Sequence, residues 1–293
     1  GTAVAVLGDS VWPSARISFS PVPETAANGS AAFCSAVPET AANGSADSET
    51  FVVGMEAGYP PFNWTQNDDS NGAVKIDGAD GYANGYDVQM AQKVADGLGK
   101  ELVIVKTEWD GLVPALISSK IDAIVAGMSP TEERKEAIDF SDSYYTTELV
   151  LVVKADGAYA DATTLADFAD AKVTAQLNTL HYGVIDQIEG VQKQPAMDSF
   201  TSMRVALESG TIDAYVSERP EAISASAANS AFKMIELDQA DTFELSVADS
   251  EIAIGLIKES ELKDQINEIL SGITEEERIQ MMEEAIKNQP SAE

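Results

Sequence analysis

Four short segments hold most of the side chains that could do chemistry, and each sits at the end of a strand-like stretch. Glu56-Ala57-Gly58-Tyr59-Pro60-Pro61-Phe62 follows one such stretch, and Ala126 to Arg134 follows a second. Gln176-Leu177-Asn178-Thr179 follows another, and the last, Asp213 to Pro220, closes with the acid Glu218. Open α/β sheets bind ligands beyond the carboxyl ends of their strands. One arginine, one acid, a few hydroxyls and aromatic walls are what a free amino acid demands. Arg134 would clamp the carboxylate in bidentate fashion. Glu218 would take the ammonium, and Tyr59 and Trp109 would wall the side chain. Each also has a structural reading: Arg134, beside Glu132 and Glu133, as a helix-surface ion pair, and Tyr59 as core.

Other chemistries fit less well. One cysteine, Cys34, and one histidine, His181, cannot build a zinc cluster. The Asp-rich stretch from Asp68 to Asp80 lacks the twelve-residue calcium-loop pattern, so no metal is expected. Both glycine-rich phosphate-loop patterns are missing. His181 has no serine or cysteine elbow beside it, so no nucleophilic triad is expected. Carboxylate pairs can be drawn almost anywhere in so acidic a chain, which makes them uninformative.

The elements that must position these residues read as alternating strands and helices. Phe51–Glu56, Glu101–Lys106 and residues 121–127 are apolar runs of strand length. Val88, Ala91, Val94, Ala95 and Leu98 recur at helical spacing, and Gly97 and Gly99 can end that helix. The alternation predicts a largely parallel sheet covered on both faces. It repeats later, with strands predicted at 149–153, 172–176, 212–216 and 251–257 and a helix at 202–209. Two helices close the chain, the second with a capping box from Thr274 to Glu277. The turn-rich stretch from Tyr59 to Asn84 reads as a long surface loop or small hairpin.

The chain of 293 residues carries 49 acidic against 18 basic side chains, a formal charge of −31. Such a field repels phosphate backbones, so no nucleic-acid partner is expected. No apolar run reaches membrane-spanning length. Within residues 1–50, Val22 to Ser30 recurs as Val37 to Ser45, and small and polar residues dominate. The segment is expected to be a flexible low-complexity tail: a tether, a leader remnant or an addition. It shows no signal-peptide pattern, although an exported protein could have lost one. Ala31-Ala32-Phe33-Cys34 loosely matches a lipid-attachment box, with Phe33 fitting poorly.

From about residue 51 to 288 the sequence resembles the extracytoplasmic substrate-binding proteins of polar amino acid ABC importers, solute-binding protein family 3. The resemblance is carried by Trp109 to Leu116, Lys120 to Ala123, Ala126 to Ser129, Thr131 to Lys135 and Asp139 to Tyr145, with Asn84-Gly85-Tyr86-Asp87-Val88 upstream. It implies a bilobal α/β fold of the type II periplasmic-binding-protein kind, two lobes with central mixed sheets joined by two crossing strands. Lobe one would be 51–145 plus 245–288, lobe two 146–244, and 289–293 a C-terminal tail. It also implies roles. Arg134 matches the carboxylate clamp, Ser129 its hydroxyl helper, and Gly127 the carbonyl that accepts from the ammonium. Thr179 matches the lobe-two contact to the carboxylate, Glu218 the acid for the ammonium, and Tyr59 and Trp109 the walls. Glu56 lies where binders of basic amino acids often carry an acid. Two positions depart from the family: Glu218 stands where Asp is common, and Asn178 where Gly is common.

The resemblance implies a monomer without cofactor or catalysis. It would bind an amino acid of the Arg/Lys or Gln type and present it to the membrane permease of an importer. Its address would be extracytoplasmic, as a cell-surface lipoprotein or in the periplasm. Two alternatives stay open: a sensory module of the same fold, and a dehydratase using His181 and Glu218 as acid–base groups.

Overall fold

The computed structural model describes residues 48–290. Two five-stranded mixed sheets organise them. In the first, the strands lie in the order Glu101–Lys106, Thr50–Met55, Ala123–Ile124, Glu251–Leu256, Asp139–Thr146. The first three are mutually parallel, and Glu251–Leu256 runs antiparallel to both its neighbours. The second sheet is ordered Gln192–Lys193, Lys172–Thr174, Ala214–Glu218, Leu149–Lys154, Phe232–Ile235. Again three strands are parallel, and Leu149–Lys154 opposes both its neighbours. The expectation of a largely parallel sheet therefore holds for three strands of each. The fold is bilobal α/β, with one mixed sheet per lobe.

Sequence explains the central strands. Thr50–Met55 is buried along all but its first residue, because parallel strands are covered on both faces and need a continuous apolar run. The helix Tyr86–Leu98 buries Val88, Ala91, Val94 and Ala95 on one face. It ends at Gly99, whose φ of 68° is a left-handed conformation that costs glycine nothing. The Thr274 capping box starts the helix Glu275–Asn288 as expected. Two expectations shift. Residues 58–84 hold a small antiparallel sheet of four short strands rather than a single hairpin. Only Ala123–Ile124 of the run 121–127 pairs as strand, which frees Ala126 to Arg134 to form the site loop.

The chain passes between the sheets twice. One pass joins Asp139–Thr146 to Leu149–Lys154, and the other returns to Glu251–Leu256. The two passes lie side by side, with Thr146 paired to Glu251 and the Thr147 N–H donating to the Ser250 carbonyl at 2.7 Å. One buried apolar cluster fills the first lobe and continues through Tyr59 to Phe200, Met203 and Tyr215 on one face of the second sheet. A second cluster, including Leu151, Phe168, Val173 and Val216, lies under the other face. Among the described residues no helix is long and apolar enough to cross a membrane. The reading of residues 1–50 and the Cys34 box fall almost wholly outside the described part.

Candidate functional site

Arg134 is placed by its own helix. Thr131 caps Glu132–Ala137, its hydroxyl accepting the Arg134 N–H at 3.3 Å. From the first turn the guanidinium folds back, and Nη1 donates to the Ser129 carbonyl at 2.8 Å. Nη2 donates to the Asn178 carbonyl at 3.1 Å, reaching the other lobe. The guanidinium lies 5.3 Å from the centre of the Trp109 ring, a cation–π distance. Burial pulls its pKa below the ordinary arginine value, while Glu133, Glu218 and Asp249 oppose that shift. It stays a cation.

Glu218 is the last residue of Ala214–Glu218, a strand paired on both sides, and Arg219-Pro220 opens the next helix. Proline suits a first turn because its missing N–H would be unpaired there anyway. The junction fixes the carboxylate, which is 1% exposed. The Tyr59 hydroxyl donates to Oε2, and His181 Nε2 lies 3.3 Å from Oε1. Among the described residues the Glu218 side chain has no lysine or arginine partner. The Tyr59 hydroxyl is held protonated, first by burial and then by the Glu218 charge.

Arg134 and Glu218, 84 residues apart in number, line one cavity together with Tyr59, Trp109, Gly127, Ser129 and Thr179. The space between them is about 10 Å³, no more than a water molecule needs. Gly127 is required twice over: its φ is 62°, and a Cβ there would come within 3.0 Å of the Tyr59 ring. The Ser129 hydroxyl donates to the Asp249 carbonyl at 3.3 Å, and the Thr179 hydroxyl to the Gln176 carbonyl at 2.6 Å.

Two sequence-derived candidates sit elsewhere. Glu56 is outside the cavity lining and accepts from the Gln176 amide at 3.2 Å. Burial raises its carboxyl to about 7 against that hydrogen bond, and Glu108, Asp198 and Asp110 push the same way. Asn178 lines an adjoining outer groove of about 550 Å³ instead. Its φ is 56°, which asparagine tolerates better than most residues. It fastens the lobes: its amide donates to Asp110 at 2.7 Å, and its carbonyl accepts from both Arg134 and the Trp109 indole N–H. Both carbonyl contacts are to the backbone, so the amide bond to Asp110 is what asparagine adds where glycine is common.

Sequence reasoning did not place Gln176, Leu180 or Phe200 in the site, and it considered His181 only as an enzyme's acid–base group. Gln176, Leu180 and His181 line the cavity. Phe200 stacks on Tyr59 with ring centres 4.5 Å apart, while Phe62 covers the other face at 5.0 Å. Tyr59, expected as an open wall, is thus sandwiched between rings. Behind it Asp87 is fully buried, accepting from the Tyr144 hydroxyl at 2.6 Å and the Asn63 amide at 2.8 Å. Burial raises its carboxyl to about 7. The Gly127 N–H donates to the same Tyr144 hydroxyl at 3.3 Å, tying this network to the site loop.

Comparison with known proteins gives a consistent result. The model of the bacterial extracellular solute-binding proteins, family 3, matches residues 51–286. A probable histidine-binding protein of Campylobacter jejuni is 33% identical over 174 residues, 59% of this chain and 61% of that protein. The matched segment thus spans less than two thirds of that relative. The arginine-binding extracellular protein ArtP of Bacillus subtilis is 30% identical over 224 residues, 75% of this chain and 78% of the relative. Among solved structures, an amino acid ABC transporter substrate-binding protein from Streptococcus pneumoniae, bound to L-arginine, superposes with a TM-score of 0.71 at 26% identity. That match covers 82% of this chain and 94% of the other. With the two mixed sheets, the paired crossings and a site built from both lobes, the chain belongs to family 3 of the bacterial extracellular solute-binding proteins.

Proposed function

We propose that the protein binds a free polar amino acid between its lobes and delivers it to the permease of an ABC importer, by binding without catalysis. The observation that carries this reading is the juxtaposition of Arg134 and Glu218 on one small cavity, where Glu218 has no lysine or arginine partner among the described residues. A zwitterion supplies both missing charges. Relatives that bind arginine and histidine support the ligand class. Glu108, Asp110 and Asp198 stand close enough to Glu56 to act on its carboxyl, and this acidic group favours a cationic side chain such as that of arginine or lysine, while Asn178 and Thr179 suit glutamine equally well.

Lobe one is taken as 51–145 plus 245–288 and lobe two as 146–244. An amino acid is larger than the space enclosed, so its admission must part Tyr59 from Glu218 and draw Phe200 off the Tyr59 ring. Closure around the ligand then places both ion pairs in a low dielectric, where they gain strength. The roles assigned to Ser129, Gly127, Thr179, Trp109 and Asn178 belong to the same proposal. So does the address: extracytoplasmic, with a lipid on Cys34 as the anchored alternative to a free protein.

Titration calorimetry against all twenty amino acids tests the reading. One class should bind saturably at micromolar concentration or tighter. Arg134→Ala should weaken that binding by about 100-fold or more, because the ligand carboxylate would be buried unpaired. Full affinity in that variant would remove the role assigned to Arg134.

A further inference from the structure

The chain contains a single histidine, and it stands in the candidate site. His181 is 6% exposed, with its ring edge against Phe200 at 6.5 Å between centres. Its two nitrogens have unequal surroundings. Nε2 lies 3.3 Å from Glu218 Oε1, and Nδ1 is buried with no hydrogen-bond partner. A carboxylate oxygen accepts, so Nε2 carries a hydrogen, and in the Nε2–H tautomer Nδ1 is left as an acceptor. A buried acceptor with no donor costs the free energy of a lost hydrogen bond. His181 lines the cavity, so a donor arriving with the ligand is the partner Nδ1 lacks.

We propose that His181 is a specificity-determining residue whose Nδ1 accepts an N–H of the bound ligand, with Glu218 holding the ring in the Nε2–H form. This rests on the amino acid reading above and narrows it. Nδ1 points away from Nε2 and so away from Glu218, so the N–H it accepts is a second one, on the ligand's side chain rather than its ammonium. A side chain that carries an N–H is therefore selected over an aliphatic one of similar length, which offers Nδ1 no hydrogen.

Because no other histidine exists in the sequence, imidazole ¹⁵N spectroscopy reports His181 alone. The full chain labelled with ¹⁵N-histidine is titrated in turn with L-arginine, L-lysine, L-glutamine and L-norleucine, whose side chain has no N–H, alongside calorimetry. We expect the Nε2–H tautomer before addition. With the amino acid that binds, the Nδ1 signal should move toward that of a hydrogen-bonded acceptor, and L-norleucine should bind at least about tenfold more weakly. His181→Phe keeps a ring but no acceptor and should lose about tenfold in affinity. His181→Gln can donate to Glu218 and still accept, and it should stay within about threefold of the parent. An Nδ1–H tautomer, an Nδ1 signal unmoved while calorimetry records binding, or equal affinity for L-norleucine would overturn the inference and leave the amino acid reading standing. Absence of heat with every amino acid, in protein shown to be folded, would overturn both.

Discussion

Two carboxylates three residues apart at one strand–helix junction have opposite surroundings. Glu221 is fully buried and closes a circuit: Arg204 reaches it with Nη2 at 2.5 Å and Nε at 3.1 Å, and Ser217 and Tyr215 add hydroxyls. Burial is the largest influence and pulls Arg204 down, but the charges and hydrogen bonds of Glu221 and Tyr215 together outweigh it and hold the guanidinium above its ordinary value. Glu218 is equally buried yet, among the described residues, has only the Tyr59 hydroxyl and the His181 ring beside it, with no guanidinium or ammonium. A buried charge is tolerable when paired and costly when not. The difference separates a carboxylate that is part of the scaffold from one whose counter-charge must come from outside.

The comparison can be broken in several ways. Arg204→Ala strands the Glu221 charge and should cost about 3–5 kcal/mol in urea unfolding, with ligand affinity of the folded protein unchanged. Glu218→Gln should do the reverse. Stability should hold or rise, because an uncompensated charge is removed, while amino acid affinity falls by about 100-fold in calorimetry. Equal stability losses in both variants would erase the distinction.

Asp87 extends it, since it is buried among neutral donors. Its folded pKa, raised from 3.8 to about 7, means that the native state keeps a proton the unfolded chain has released. Stability should therefore be greatest below about pH 4 as far as this group is concerned, and be lost as pH rises through 7. The amount is on the order of 2–4 kcal/mol. Glu56 acts in the same direction. Asp87→Asn should flatten the decline between pH 5 and 8, and an unchanged slope would remove Asp87 as its source. The smallest effect belongs to Ser217→Ala, which takes one hydroxyl from Glu221 while Arg204 remains. It should cost about 1 kcal/mol by thermal or urea unfolding.

The buried runs were legible because a strand covered on both faces admits little else: Phe51-Val52-Val53 and Leu149 to Val153 are all but spelled out. Asp139–Thr146 was visible only as a family motif, since Asp139, Ser141, Asp142 and Ser143 blur its alternation and register shifts interrupt its pairing. Seven of the nine candidate residues meet at the cavity, because strand ends are recognisable locally. Phe200 and Gln176 were not, because what they touch, Tyr59 and Glu56, lies more than a hundred positions away. Asn178 stood out in sequence only as a departure from glycine, and its bonds to Trp109, Asp110 and Arg134 exist only once both lobes are folded.

The indole of Trp109, bonded across to the Asn178 carbonyl, gives the molecule a built-in optical gauge. Trp64 is buried within lobe one with its N–H on Gln66, and it should be indifferent to how far the lobes stand apart. A third tryptophan, Trp12, lies outside the described residues, so Trp109→Phe isolates the gauge: the colour change on mixing with an amino acid should shrink sharply in that variant. Opening and shutting could then be timed in a stopped-flow fluorimeter without attaching a dye.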